Sequence, residues 1–171
     1  PLNLSDLIKI VCFEKLDTSE PDETYLDDLE DYWDEAESQV NDFGAFIWHL
    51  WVSNYKSCSK KDVFTKIEEH FKTITKKNDA ERFIYDTIFD EADWYHAYEN
   101  PDEISESDDI SLERKRYLEM LEAMGATRCY PLLLSIDYCA KPTVNTITKK
   151  QANELLKKIV CLTFWHSGIC V

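Results

Sequence analysis

The sequence predicts an all-α protein, with about eight helices packed as an irregular orthogonal bundle. Three observations predict it. Apolar residues recur at helical spacing along most of the chain, and no stretch alternates convincingly as a strand. Only 3 glycines and 5 prolines punctuate 171 residues, too few for a loop-rich or all-β chain. Helix start and stop signals fall at the breaks between the periodic stretches.

The first helix is expected over 5–16, with Leu4, Leu7, Ile8, Val11 and Cys12 on one side. Thr18-Ser19-Glu20-Pro21 opens the second, because a proline in the first turn gives up an N–H that has no helical partner there. Its apolar stripe is Tyr25, Leu29, Trp33, Ala36 and Val40. The third carries Phe43, Phe46, Ile47, Leu50 and Trp51. Ser59, with Asp62 three residues on, predicts the N-cap of the fourth, whose stripe is Val63, Phe64, Ile67, Phe71 and Ile74. Asn78 with Glu81 repeats that signal for the fifth, which turns Phe83, Ile84, Ile88, Ala92, Tyr95 and Tyr98 inward. Asn100-Pro101 ends it, and the acidic run 101–110 reads as a loop.

Residues 117–170 form the most distinctive stretch, read as three helices joined by short turns. The sixth helix, over 111–124, stops at Gly125. Pro131 sits in the first turn of the seventh, behind an Arg-Cys-Tyr-Pro expected to be buried. Thr148 and Gln151 spell a capping box for the eighth, whose inner face is read as Leu155, Ile159, Leu162 and Phe164.

Charge divides the chain. Residues 1–110 carry 10 basic and 29 acidic side chains, and residues 111–171 carry 9 and 5, within a total of −15. The organisation read from this is an acidic, aromatic-rich helical part (1–100), an acidic loop (101–110) and a basic helical part (111–171). Together they make one domain, expected to be a piece of a longer protein because the chain begins at Pro1. The net charge excludes unaided binding to phosphate backbones by the whole surface. Between 17 and 42 there are twelve acids and no base, a solvated helix face or a surface for a basic partner. The six cysteines form no CxxC pair and mostly sit among apolar neighbours. With no signal peptide and no apolar run long enough for a bilayer, the expectation is a cytoplasmic protein with reduced thiols and no membrane partner.

No motif for catalysis, metal or nucleotide stands out. The four histidines make no HExxH, and no Cys/His cluster has zinc-ligand spacing. Cys161, His166 and Cys170 are near in sequence, but the spacing favours a buried Cys beside a hydrogen-bonded His over a metal centre. The acids at 27–35 lack the glycine of a calcium loop. Three glycines cannot make a phosphate cradle. Asp102 with Glu113 and Lys115 fits a loose magnesium-nuclease pattern of two carboxylates and a lysine. Glu113 and Lys115 fall in a helix, however, where residues two apart point to different faces. Trp48, Trp51 and Tyr55, and Trp94, Tyr95 and Tyr98, have the spacing of stacking platforms but lie in the acidic part, so core packing is the better reading. The candidate phosphate contacts are Arg114, Lys115, Arg116, Arg128, Lys149, Lys150, Lys157 and Lys158, which would form a small basic face.

Several segments, in order, resemble the helical middle region of GmrSD-like restriction endonucleases. They are DLIKIVCFEKL (6–16), FGAFIWHLWVSNYKSCSKKDVFTKIEEHF (43–71), ADWYHAYENP (92–101), YLEMLEAMGATRCYPLLLSI (117–136) and ITKKQANELLKKIVCLTFWHSGIC (147–170). Members of that family join a ParB-like N-terminal domain, and often a C-terminal HNH nuclease domain, to this region. The family's Asp-Gly-Gln-Gln-Arg motif and any HNH motif are missing here, so no catalytic residue is carried over. The arginines that commonly end the family's last helix are replaced at Trp165 and His166. The resemblance implies a helical scaffold in a DNA-cutting phage-defence protein. Nucleoside triphosphate and divalent metal would belong to the parent's other domains, and no cofactor to this segment. Its partners would be the flanking domains, DNA at the basic end and a second copy of the chain. The alternative is a free-standing acidic helical interaction protein, including a mimic of DNA.

Overall fold

The computed structural model describes residues 4–16, 23–105 and 112–169. The protein is all-α, and among the described residues there is no strand. Among the described residues nine α-helices follow one another: α1 (Leu4–Glu14), α2 (Glu23–Gln39), α3 (Phe43–Asn54), α4 (Val63–Thr73), α5 (Lys77–Arg82), α6 (Asp90–Glu99), α7 (Leu112–Ala123), α8 (Tyr130–Ala140) and α9 (Lys149–Ile169). A π-helical segment, Phe83–Phe89, joins α5 to α6 without a break, so the described residues form eight helical rods. Single 3-10 turns lie at Pro101–Glu103 and Thr127–Cys129. The start signal at 18–21, the second half of the loop (106–110), and Cys170 lie outside the described residues.

The chain divides after Asp93 into two compact units. By sequence the first (1–93) carries 10 basic and 23 acidic side chains, and the second (94–171) carries 9 and 11. Residues 94–100 therefore belong with the C-terminal helices, and by sequence residues 94–110 add six acids to the 9 basic and 5 acidic side chains of 111–171.

In the first unit α1, α3 and α4 pack together, and α2 lies along the π segment. Ile8, Cys12, Trp33, Phe46, Ile47 and Ile67 are at most 1% exposed. Aromatic rings link the layers: Trp33 lies 5.4 Å from Phe43, and Phe71 lies 5.0 Å from Phe83. The π segment answers a spacing that a regular α-helix handles poorly. Phe83 and Ile88 are five apart and both buried, and hydrogen bonding from i to i+5 places such a pair on one face. The Asp90 N–H accordingly reaches the Tyr85 carbonyl.

Helix starts depart from the sequence reading in two places. α4 begins at Val63 with Asp62 at the cap, not Ser59. The Ser59 hydroxyl donates instead to the Asp62 carboxylate at 2.7 Å, which closes a turn before the helix. α5 starts at Lys77, ahead of Asn78, after Lys76, whose side chain makes no capping bond. The strongest cap is one the sequence reading passed over. Asp42 accepts the Ala45 N–H at 2.8 Å and holds Lys60 at 2.7 Å, and both contacts hold its carboxyl below the usual range. Asp42→Ala should lower stability by about 1 kcal/mol through the cap, with little added by the exposed ion pair. A urea midpoint unchanged from wild type would rule that out.

In the second unit α9 packs against both α7 and α8, and α7 packs against the turn at Pro101. Gly125 ends α7 at φ 62°, and the Ala126 N–H returns to the Leu121 carbonyl at 3.0 Å, a Schellman closure. The predicted capping box forms at α9: Gln151 N–H donates to the Thr148 hydroxyl at 3.2 Å, and Thr148 N–H donates to the Gln151 amide oxygen at 2.9 Å.

Two expectations fail here. Of the Arg-Cys-Tyr-Pro, only Tyr130 is buried, because Arg128 faces solvent from the 3-10 turn. The inner stripe of α9 is Ala152, Leu156, Ile159 and Val160, and Leu162 and Phe164 are about 70% exposed. The stripe follows steps of three and four from Ala152, which keeps Ile159 inside and turns Leu155, Leu162 and Phe164 toward solvent. No helix among the described residues is long and apolar enough to cross a membrane.

Candidate functional site

The second unit holds a buried charged network. Asp137, on α8, is the one acid in an otherwise apolar helix. Its Oδ2 receives the Tyr98 hydroxyl from α6 and Nη2 of Arg114 from α7, the latter at 2.5 Å. A longer contact of 3.4 Å joins Arg114 Nη1 to the Asn153 amide oxygen on α9. Both charged side chains are only 12% exposed. Burial pushes the Asp137 carboxyl up, against the opposing pull of Arg114 and Tyr98. Beside this network, the Tyr130 hydroxyl donates to the Tyr98 carbonyl at 3.1 Å, and the Tyr95 ring meets Tyr130 edge-on at 5.2 Å. The arrangement ties four helices together through Asp137 Oδ2 and Arg114. A lone acid in the apolar stretch YPLLLSIDYC was the signal that a buried partner must exist.

The predicted phosphate contacts divide into two groups. Arg114 is committed to Asp137, and Lys115 donates to the carbonyls of Asp102 (3.0 Å) and Ile104 (2.7 Å), closing the turn after α6. Arg116, Arg128, Lys149, Lys150, Lys157 and Lys158 are exposed. On α9, Lys150, Lys157 and Lys158 lie away from the buried stripe, which gives that helix a basic outer face.

The nuclease pattern is brought together only in part. Lys115 meets the backbone of Asp102, and Glu113 accepts the Tyr117 hydroxyl at 3.0 Å. No cluster of three or more His, Cys, Asp or Glu that could hold a metal occurs among the described residues. Cys161 and His166 are both exposed on α9, contrary to the buried Cys beside a bonded His that was expected. They sit outside the stripe that packs α9.

Core packing holds for Trp51, Tyr95 and Tyr98, whereas Trp48 and Trp94 are half-buried and Tyr55 is 42% exposed. Trp48 donates to the Cys58 carbonyl at 2.8 Å. Trp51 stacks on Tyr55 at 4.3 Å, and the Tyr55 hydroxyl lies 3.3 Å from His70 Nε2. Trp94 lies beneath Lys141 Nζ at 4.7 Å.

A cleft of about 350 Å³ in the first unit went unforeseen. It is lined from α2 by Tyr25, Asp28, Leu29 and Tyr32, and from α5 and the π segment by Glu81, Arg82, Tyr85 and Asp86. Burial, and then the nearby Glu81 carboxylate, push the Tyr25 phenol well above its usual range, so it stays neutral. In the sequence Tyr25 reads as part of the core stripe and Asp28 as part of the solvated acidic face, and only the packing of α2 along the π segment sets both on one cleft with Tyr85. No protein-family model, curated protein or solved structure matches the chain.

Proposed function

We propose that the chain is the helical scaffold region of a GmrSD-like DNA restriction protein. It would hold and couple a nucleotide-hydrolysing domain and a nuclease domain carried elsewhere in the same polypeptide. The supporting observation is that two segments of the resemblance, 92–101 and 117–136, pack against each other. Tyr95 and Tyr98 from the first meet Tyr130 from the second. The residues that make the resemblance distinctive therefore act as packing residues, as a scaffold requires. DNA contact, on this reading, belongs to the exposed lysines of α9 and contributes a salt-dependent attraction without reading bases.

The test is the reading frame that encodes the chain. An Asp-Gly-Gln-Gln-Arg motif upstream in the same frame, and restriction of phage when the whole frame is expressed, are the expected results. A start codon directly before Pro1, with no such motif, overturns the reading.

That second outcome would favour the free-standing interaction protein. Its own supporting observation is the outer face of α2, where Asp27, Asp28, Glu30, Asp31, Asp34 and Glu35 are all exposed.

A further inference from the structure

We propose that the cleft between α2 and the π segment binds an organic ammonium cation, the alkylated head of a small amine or of a methylated lysine side chain. The walls suit such a group. The Tyr32 and Tyr85 rings lie 5.0 Å apart at 78°, close to a right angle. The two rings touch edge to face and so form a corner, and a compact cation can rest in the angle between their faces, whereas a flat base needs parallel faces. Phe89 backs both rings, at 4.8 Å from Tyr32 and 5.8 Å from Tyr85, and holds them in place. Tyr85 and Phe89 are four apart on the π segment, about one turn, and so lie on one side of it.

The charge of the lining selects the sign of the ligand. Asp28, Glu81 and Asp86 oppose a single cation, Arg82, on the same rim. Aromatic faces attract a large, weakly hydrated cation through the ring quadrupole, and a nearby carboxylate adds to that attraction. A small metal ion would instead need convergent oxygen, nitrogen or sulfur ligands, and no such cluster occurs among the described residues. The volume is at the lower end for small-molecule sites, which suits a trimethylammonium head with a short tail. The inference does not depend on the restriction-protein reading, because it rests on the first unit alone.

Calorimetric titration of the 171-residue protein tests it, with choline, the neutral carbon isostere dimethylbutanol, and a peptide carrying trimethyl-lysine or unmodified lysine. Choline or the trimethylated peptide should bind, and the matching neutral or unmodified probe should bind at least about tenfold more weakly. Tighter binding of the peptide assigns the site to a protein tail, and tighter binding of choline assigns it to a free amine. Tyr85→Leu should weaken binding about fivefold and Asp28→Asn about threefold, because one removes a wall and the other a charge. Asp28 is exposed and its substitution is isosteric, so that variant keeps the fold if Tyr85→Leu does not. Equal binding of choline and its neutral isostere, no binding of either cation, or unchanged affinity in the Asp28→Asn variant overturns the proposal.

Discussion

Arg114→Ala is expected to destabilise the second unit by about 3 to 5 kcal/mol. The variant strands the Asp137 carboxylate at 12% exposure with the Tyr98 hydroxyl as its remaining side-chain donor. The cost is that of an uncompensated buried charge and exceeds the net worth of the pair. Arg114→Met with Asp137→Leu should therefore recover most of the loss, since an apolar pair of similar volume carries no such penalty. Urea unfolding followed by amide exchange in α7, α8 and α9 reads the effect. A loss below about 1 kcal/mol for Arg114→Ala would place the guanidinium among surface charges and sink the network argument. The experiment also bears on DNA. If Arg114 acted chiefly on phosphate, its removal would change the salt dependence of DNA binding and leave the fold intact.

Acid is expected to weaken the first unit before its carboxylates titrate. His49, 5% exposed on α3, has its pKa lowered from 6.5 to about 4, chiefly by burial and then by Lys60, with Asp42 opposing. In the unfolded chain the imidazole takes up a proton around pH 6.5, and in the folded chain only near 4. Stability from the neutral ring is thus complete above pH 6.5 and falls as pH drops toward 4, by about 3 kcal/mol across that window. His70, on α4 beside Tyr55 and Trp51, is lowered by burial as well and adds in the same direction. His49→Gln should flatten most of the change in urea midpoint between pH 7 and pH 4.5. A wild-type midpoint that stays constant over that interval would show the ring to be solvated enough to charge in place. The Asp42 contribution has the same sign but a lower window, below the ordinary carboxylate pKa, so the two can be told apart.

Helical periodicity was legible almost everywhere. The stripes read for α2 and α3 are the buried ones, apart from Tyr25, which turns into the cleft. Local signals succeeded where the partner lies within one turn, as with Thr148 and Gln151 or Gly125. They failed where two residues competed for one role: Ser59 and Asp62 both favour a cap, and the bond between them decided which one borders the helix. The face of α9 was misread because Leu162 and Phe164 are apolar yet lie off the stripe that runs from Ala152 in steps of three and four. Of the candidate phosphate contacts, Arg114 and Lys115 could not be distinguished from their exposed neighbours by composition. Their partners, Asp137 and the carbonyls of Asp102 and Ile104, come from other elements of the second unit.

By itself the sequence determined the helical class, the uneven charge and most of the inward-facing residues. These follow from periodicity and counting, which act over a turn or two of chain. Only the tertiary structure decided that the lone acid of α8 is neutralised by Arg114, that residues 83–89 wind as a π-helix, and that Tyr32 and Tyr85 meet across a cleft. Each of these joins residues from different helices or depends on a neighbouring helix to pack against. Such pairings are set by how helices dock, and docking is a property of whole faces that no local window contains.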